Sequence, residues 1–336
     1  MIPDLTELQN HPFNLIGLAD REKFHTGMLA FALRSLLKCD SDHFFCLVSD
    51  LWQCGFDSSP AGEIIVDVEQ GGIDLVVARS GAVTHWAEVK LKTGLGKEQI
   101  RRYEEKHPSG ESVLLGLFPE ETGSTKTRFR SFPKVILNFF QVMPVNSLAA
   151  AGLDKDRIAL IKLWAEYLSR LRKISVTFEA LGLGKIPDAK NTAMLLRNIK
   201  LLGIFERYRY GLVGEAFSRE TRRLKPALFN TNGNAGLEMR IEASLPYGLQ
   251  WQAGALKLFM IDPTFKKGTD TPERDSRLRD LAVQFCNHFN LDPNKNLNAS
   301  GKFRSVTICR WNIFDDCRER ACFLAESIDY LCDLKG

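Results

Sequence analysis

The feature that most constrains the fold is a group of three extended segments between residues 63 and 91. Glu63–Glu69 is rich in β-branched residues, Ile73–Arg79 is a nearly continuous apolar run, and Thr84–Leu91 alternates between its two faces. A short continuous apolar run is typical of a central strand that is buried on both sides. Alternation is typical of a strand whose faces meet different surroundings. The sequence therefore predicts a sheet with Ile73–Arg79 in its interior.

Helical patterns surround these strands. Apolar residues at helical spacing predict one helix after Asn14 and another over His43–Cys54. Turn and breaker residues delimit a helix over Lys97–His107, a strand over Ser112–Phe118, a polar loop over Glu120–Phe132 and helices from Pro133 to about Leu202. Strands and helices that alternate in this way indicate an α/β fold, with a mixed sheet flanked by helices.

The composition changes after Leu202. Turn signals rich in Gly, Asn and Pro separate segments that we expect to be antiparallel strands, namely Tyr208–Ser218, Ala227–Thr231, Leu237–Ala243 and Leu249–Ile261. The remaining expected elements are a helix, a strand and a helix, at Glu273–Phe289, Ser305–Phe314 and Arg318–Leu334. We therefore predict two domains, residues 1–200 and 201–336, of which the second is a smaller α+β domain.

Bulk properties narrow the class of protein. The formal net charge of +4 permits a nucleic-acid partner without requiring one. The 8 cysteines include no Cys-x-x-Cys pair, which argues against a zinc ribbon. We therefore expect reduced thiols, as in a cytoplasmic protein. The first residues lack the pattern of a signal peptide, and no apolar run reaches the roughly 18 residues of a membrane span.

Polar side chains cluster on the hairpin predicted from the second and third segments. If Ser80-Gly81-Ala82 is a three-residue loop, Asp74 stands opposite Glu88. Opposed residues have Cβ atoms about 4.5–5.5 Å apart. Lys90 lies two residues beyond Glu88 and so points to the same side. One face of the hairpin would then carry two carboxylates and an ammonium group.

Two carboxylates at that distance repel each other unless a positive charge compensates them. Mg²⁺ is bound by one or two carboxylates together with water and phosphate oxygens. A metal in this position can polarise a phosphoryl oxygen and activate a bound water, and Lys90 could orient that water or stabilise developing charge. The sequence therefore predicts a site for Mg²⁺ or Mn²⁺ that acts on phosphodiester bonds.

The motif Asp74, thirteen intervening residues and Glu88-Val89-Lys90 resembles the D…ExK core of the PD-(D/E)XK nuclease superfamily. Gln99 and Tyr103 resemble the Q-x-x-x-Y helix that follows this core in several branches. Glu22-x-x-His25-Thr26 resembles an N-terminal helix that carries Glu and His in one branch. The resemblance covers about residues 14–120, and Ile73 stands where the name-giving Pro would be.

The resemblance implies a restriction-endonuclease-like fold and a metal-dependent endonuclease. It implies DNA in preference to RNA as substrate, a homodimer for paired cuts, and a role in bacterial defence or DNA processing. By the same resemblance, Asp74 and Glu88 would be metal ligands, joined by Glu22, and Glu69 is a weaker acidic candidate. Lys90 would be catalytic, and Gln99 would position water or phosphate.

Other interpretations of these residues stay open. Two basic groups are candidate nucleic-acid contacts or simply solvated surfaces, namely Lys92, Arg101 and Arg102 near the site, and Arg207, Arg209, Arg222 and Arg223. His25 and Tyr103 are expected to have packing roles. Glu88 and Lys90 could form an ordinary surface ion pair. The protein would then be a silent module that binds nucleic acid or protein, or an adaptor that acts through its second domain.

Overall fold

The computed structural model describes residues 2–19, 21–55, 62–91, 98–142, 148–149, 152–231, 234–243, 245–262, 272–292, 297–300 and 302–334. The chain divides into two compact units, Met1–Ala180 with Lys190–Ile204, and Leu181–Ala189 with Phe205–Gly336. The predicted α/β class is confirmed, since a mixed five-stranded sheet and a six-stranded antiparallel sheet both occur with helices. Among the described residues, every helix is too short or too polar to cross a membrane.

The described residues of the first unit form eight helices, and those that begin at Glu22, Ser41, Gln99 and Phe132 contact its sheet. In chain order the eight helices are α1 (Pro3–Gln9), α2 (Pro12–Leu15), α3 (Glu22–Cys39), α4 (Ser41–Trp52), α5 (Gln99–Lys106), α6 (Phe132–Val142), α7 (Lys155–Leu181) and α8 (Ala189–Asn198). The indole of Trp52 donates to the carbonyl of Trp86 at 2.8 Å, which ties the end of α4 to the sheet. His25 is fully buried in α3 and accepts a hydrogen bond from Trp164 of α7 at 3.3 Å.

The first sheet has five strands in sequential order. They are β1 (Ile64–Gln70), β2 (Ile73–Arg79), β3 (Ala82–Lys90), β4 (Glu111–Gly116) and β5 (Arg128–Ser131). The first three form an antiparallel meander, and the last two continue parallel to β3. Helix α5 supplies the crossover that the parallel connection from β3 to β4 requires. β5 lies in the predicted loop Glu120–Phe132, so that prediction was wrong over these four residues.

The turn between β2 and β3 differs from the prediction. Arg79 pairs with Ala82, so the loop contains only Ser80 and Gly81, whose φ angles of 49° and 79° match a type I′ turn. A β-bulge at Thr84 then inserts one extra residue into β3.

The bulge changes the register of the hairpin beyond it. Val77 pairs with His85, and Leu75 pairs with Ala87. The next step therefore places Asp74 across from Glu88. The predicted three-residue loop is wrong, yet the two carboxylates still share a face because the bulge restores the parity.

An apolar cluster covers the face of the hairpin that carries these carboxylates. Its buried members are Ile73, Val76, Ala78, Trp86 and Ile100. Trp86 is fully buried and packs edge-on to Tyr103 of α5, with ring centroids 5.8 Å apart. Truncation of a buried aromatic side chain of this kind costs about 3–5 kcal/mol. This packing fixes α5 on the sheet and brings the beginning of the helix close to the end of β3.

The second unit is built on a six-stranded antiparallel sheet. Its strand order is β10-β11-β9-β8-β7-β6. The strands are β6 (Ala227–Thr231), β7 (Asn234–Ile241), β8 (Tyr247–Gln252), β9 (Ala255–Ile261), β10 (Leu297–Ser300) and β11 (Phe303–Arg310). The helices are most of α9 (Leu202–Glu220), α10 (Pro272–His288) and α11 (Arg318–Asp333). The segment predicted as one strand over Leu249–Ile261 is a hairpin that turns at Ala253-Gly254, and β10 was not predicted.

The segment Tyr208–Ser218, predicted as a strand, belongs to helix α9 (Leu202–Glu220). Its buried side chains include Phe205, Arg209, Val213 and Phe217, which recur every four residues as on one face of a helix. Because Arg209 is charged, it interrupts this row of apolar residues, and the helical periodicity is not apparent in the sequence. Aromatic and β-branched neighbours then favour a strand on local preference alone.

Candidate active site

Three polar side chains of β2 and β3 meet at one end of the hairpin. The Lys90 ammonium lies 2.5 Å from Glu88 Oε1 and 4.0 Å from Asp74 Oδ2. The backbone N–H of Val89 donates to Asp74 Oδ2 at 2.8 Å, which fixes the orientation of that carboxylate. Only 1% of the Glu88 side chain and 12% of the Lys90 side chain are exposed. The charged groups are therefore largely removed from water.

The first residues of two helices complete the cluster. Glu22 opens α3, and its Oε2 lies 3.7 Å from Lys90 Nζ. Gln99 opens α5, and its side-chain amide donates to Glu88 Oε1 at 2.5 Å and to Tyr103 Oη at 3.2 Å. The structure thus brings together all five residues that were predicted as catalytic or metal-binding, namely Asp74, Glu88, Lys90, Gln99 and Glu22. Glu69 instead forms an exposed ion pair with Lys23, at 2.6 Å.

Burial and repulsion disfavour the ionised carboxyls. Burial, reinforced by the charge of Asp74, raises the pKa of Glu88 to about 7, although Lys90 opposes the shift. Burial also raises the pKa of Asp74, against the hydrogen bond from Val89 and the charge of Lys90. For Lys90, burial lowers the pKa, but the attraction of Glu88, Glu22 and Asp74 outweighs it and the net pKa is raised. Lys90 is consequently cationic at neutral pH.

One buried oxygen of the cluster lacks a permanent hydrogen-bond donor. Glu88 Oε2 is inaccessible to solvent and receives no hydrogen bond from a permanent donor, while a hydrogen bond between the Glu88 and Asp74 carboxyls requires a proton on one of them. An ionised carboxylate only accepts hydrogen bonds, so the facing carboxylate of Asp74 cannot satisfy it. A proton or a cation between the two groups would do so. Oxygen donors of this kind suit Mg²⁺ or Mn²⁺, and Asp74 and Glu88 fit such an ion.

The predicted set of three metal ligands, Asp74, Glu88 and Glu22, stays a prediction. Within the described ranges, no group of three or more His, Cys, Asp and Glu side chains is arranged to hold a metal ion. In the structure, Glu22 forms an ion pair with Lys90, whose ammonium group lies among the carboxylates of Glu22, Asp74 and Glu88. Two carboxylates remain, which is a sufficient number of protein ligands for Mg²⁺.

The basic residues next to the site are exposed where they are described. Lys92 lies outside the described residues. Arg101 is 71% exposed and pairs with Glu98 and Glu105, both at 3.1 Å. Arg102 is also exposed. Arg101 and Arg102 are accessible to a phosphate backbone.

The basic group of the second unit is not a single exposed surface. Arg209 is fully buried, so its predicted contact with nucleic acid is wrong. Its guanidinium donates to the carbonyls of Gly182, Leu183, Ile313 and Asp315 and contacts Cys317 Sγ at 3.3 Å. Those bonds replace the water that the charge loses on burial. Arg209 therefore has a structural role.

The other members of that group have varied surroundings. Arg223 is 45% exposed on its side chain and forms ion pairs with Asp333 at 2.6 Å and Asp329 at 3.4 Å. Arg222 is exposed, and Arg207 is half-buried. Arg222 is thus the member of the group that is best placed for a partner.

Sequence reasoning underestimated two residues. Tyr103 was expected only to pack, but its hydroxyl accepts from Gln99 and donates to the carbonyl of Gly72 at 2.5 Å. It thereby links α5 to the turn before Asp74. Thr84 was not singled out, although its bulge determines the register of the hairpin. In the sequence, the only hint was that Thr84 directly precedes His85 on a strand, and this pair of residues does not by itself indicate a bulge.

Comparisons with known proteins add no relative. A scan against protein-family models, a search of curated proteins and a search of solved structures each found no match.

Proposed function

We propose that the protein is a metal-dependent nuclease that hydrolyses phosphodiester bonds at the Asp74–Glu88–Lys90 face. The observation that carries the proposal is the buried Glu88 carboxylate, one oxygen of which contacts Lys90 while the other lacks a permanent hydrogen-bond donor. A carboxylate held in this state, beside Asp74, favours a divalent cation. The superfamily resemblance of the same residues supports the proposal, as does the restriction-endonuclease-like fold that we infer for the first unit.

The side chains have distinct roles in this proposal. Asp74, oriented by the Val89 amide, and Glu88 would hold the cation. The bound metal would polarise a phosphoryl oxygen and lower the pKa of a coordinated water. Lys90 is held cationic by its three carboxylate neighbours, so it acts as an electrostatic stabiliser of phosphoryl charge and cannot serve as a general base at neutral pH. Gln99 fixes the rotamer of Glu88 through its 2.5 Å hydrogen bond.

We favour DNA as the substrate over RNA, and a homodimer for paired cuts. Arg101 and Arg102 are exposed on α5, whose first residue contacts Glu88. Exposed guanidinium groups at that position suit contacts with the phosphate backbone, which carry affinity and little sequence information. A role in defence or DNA processing and a cytoplasmic location stay predictions.

A cleavage assay tests the proposal. Purified protein is incubated with supercoiled plasmid, single-stranded DNA and RNA in Mg²⁺, Mn²⁺ or EDTA, beside Asp74→Asn and Lys90→Met. Asp67→Asn and Lys23→Met are matched controls, because both residues lie in exposed ion pairs of the same unit. We expect cleavage that requires metal and is lost only in the site variants. Equal cleavage by wild type and both site variants would reject this site.

One observation favours a second candidate, a silent binding module on the same fold. The Lys90 ammonium already compensates part of the charge of Glu88 at 2.5 Å, as an internal cation would. The same samples decide between the two. A shift of DNA mobility without cleavage in any metal would favour the module.

A further inference from the structure

We propose that Thr84 is a positioning residue of the candidate site, because its side chain holds the β-bulge that keeps Glu88 and Lys90 on the face of Asp74. The register itself is a property of the hairpin alone. Its consequence for catalysis rests on the proposed nuclease function.

The parity of the hairpin makes the bulge necessary. From the pair Arg79 and Ala82 at the turn, five regular steps along both strands would place Asp74 opposite Ala87. Because side chains alternate, a displacement of one residue moves a whole strand's side chains to the other face. Glu88 and Lys90 would then point away from Asp74. The bulge leaves Thr84 out of the cross-strand pairing and so removes this displacement. Leu75 then pairs with Ala87.

Side-chain hydrogen bonds hold the bulge in place. The Thr84 hydroxyl donates to the carbonyl of Val77 at 3.0 Å. It also contacts His85 Nδ1 at 3.0 Å, and since a hydroxyl has a single hydrogen, His85 must be the donor there. His85 Nε2 is then an acceptor, and the Cys54 thiol, 3.4 Å away, is its donor. Burial lowers the pKa of His85 to about 4, so the ring is neutral as this arrangement requires.

The hydrogen bonds therefore run in one direction, from Cys54 through His85 and Thr84 to Val77. The chain fastens the bulge to the end of α4, since Cys54 follows Trp52 by two residues. In this way the element that sets the register lies four residues from Glu88, outside the set of charged groups that it positions.

Three variants test the inference. Thr84→Val removes the hydroxyl that holds the bulge, and without the bulge the regular register places Ala87 opposite Asp74. Deletion of Thr84 removes the extra residue itself, so the strands pair regularly, Val77 still meets His85, and Glu88 stays opposite Asp74. Thr84→Ser, which keeps the hydroxyl, is the conservative control.

The readout is the backbone amide of Val89, which donates to Asp74 Oδ2 at 2.8 Å. In protein that carries ¹⁵N-labelled valine, Asp74→Ala should shift the Val89 amide resonance in the wild-type, Thr84→Ser and Thr84-deleted backgrounds. It should leave the resonance unchanged in Thr84→Val. A Thr84→Val variant that fails to fold while the deletion variant folds supports the same conclusion.

Persistence of the Asp74-dependent shift in Thr84→Val, or its absence in Thr84→Ser or after deletion of Thr84 for any reason, would overturn the inference. Cleavage is measured on the same samples, and we expect it to follow the shift. If wild type does not cleave but the shift behaves as expected in the three variants, the nuclease proposal fails and the positioning role of Thr84 stands.

Discussion

Glu88→Gln should stabilise the protein in alkali and leave its stability unchanged in acid. Burial and the charge of Asp74 raise the pKa of Glu88 from the ordinary 4.5 to about 7. At about 1.4 kcal/mol per pH unit, this difference corresponds to roughly 3 kcal/mol of free energy that the folded state loses by ionising Glu88. Glutamine keeps the shape of the side chain and carries no charge, so the variant avoids that loss.

The sign follows from proton binding. The folded-state pKa lies above the unfolded-state value, so the native protein binds more protons between pH 4.5 and about 7. The free energy of unfolding therefore falls across that window as the pH rises. The stability advantage of Glu88→Gln should be absent near pH 4.5 and should reach its full size, about 3 kcal/mol, above pH 7.

Urea denaturation in EDTA at pH 4.5 and pH 8.5 measures this difference, since a bound cation would mask the penalty. Glu105→Gln is the matched control, because Glu105 is 64% exposed and lies on α5. We expect its free energy of unfolding to change by no more than a few tenths of a kcal/mol at either pH. A Glu88→Gln variant that is equal to or less stable than wild type at pH 8.5 would refute the electrostatic description of the site.

Three further predictions concern the cation, Lys90 and Arg209. Because Glu88 must lose its proton to bind a cation, calorimetric affinity for Mn²⁺ should rise with pH to about 7 and then level off; a flat profile would contradict this. Lys90→Met should bind Mn²⁺ at least as tightly as wild type, because an ammonium 2.5 Å from Glu88 Oε1 is removed; weaker calorimetric binding would contradict competition between Lys90 and the metal. Arg209→Lys should lower the free energy of unfolding, measured by urea denaturation, by about 2–3 kcal/mol, because one ammonium group cannot reach carbonyls on several sides. Arg219→Lys is the control on the same helix; the Arg219 side chain is 77% exposed, and we expect little change.

The hairpin and its charged face were predictable because the determining information is local. Ile73–Arg79 has the same bounds in the sequence prediction and in the structure. Alternation along β3 places Glu88 and Lys90 on one side whatever the rest of the chain does.

The features that the sequence did not reveal depend on contacts between distant segments. The bulge at Thr84 is held through His85 by Cys54, 30 residues earlier in the chain. Arg209 is buried because carbonyls 26 to 106 residues away receive its hydrogen bonds, and these partners make a charged residue compatible with a buried helical face. No local pattern encodes such partners, so a strand was the better local prediction for a segment that is helical.

The most direct measurement of the central claim is the single-turnover rate of plasmid nicking by wild type and Lys90→Met in Mg²⁺, followed by excess EDTA. We predict that wild type nicks and stops when EDTA is added. Lys90→Met should be slower by roughly 100-fold or more, the usual loss when one group that stabilises developing charge is removed. Nicking that continues in EDTA, or a Lys90→Met rate equal to that of wild type, would contradict the account.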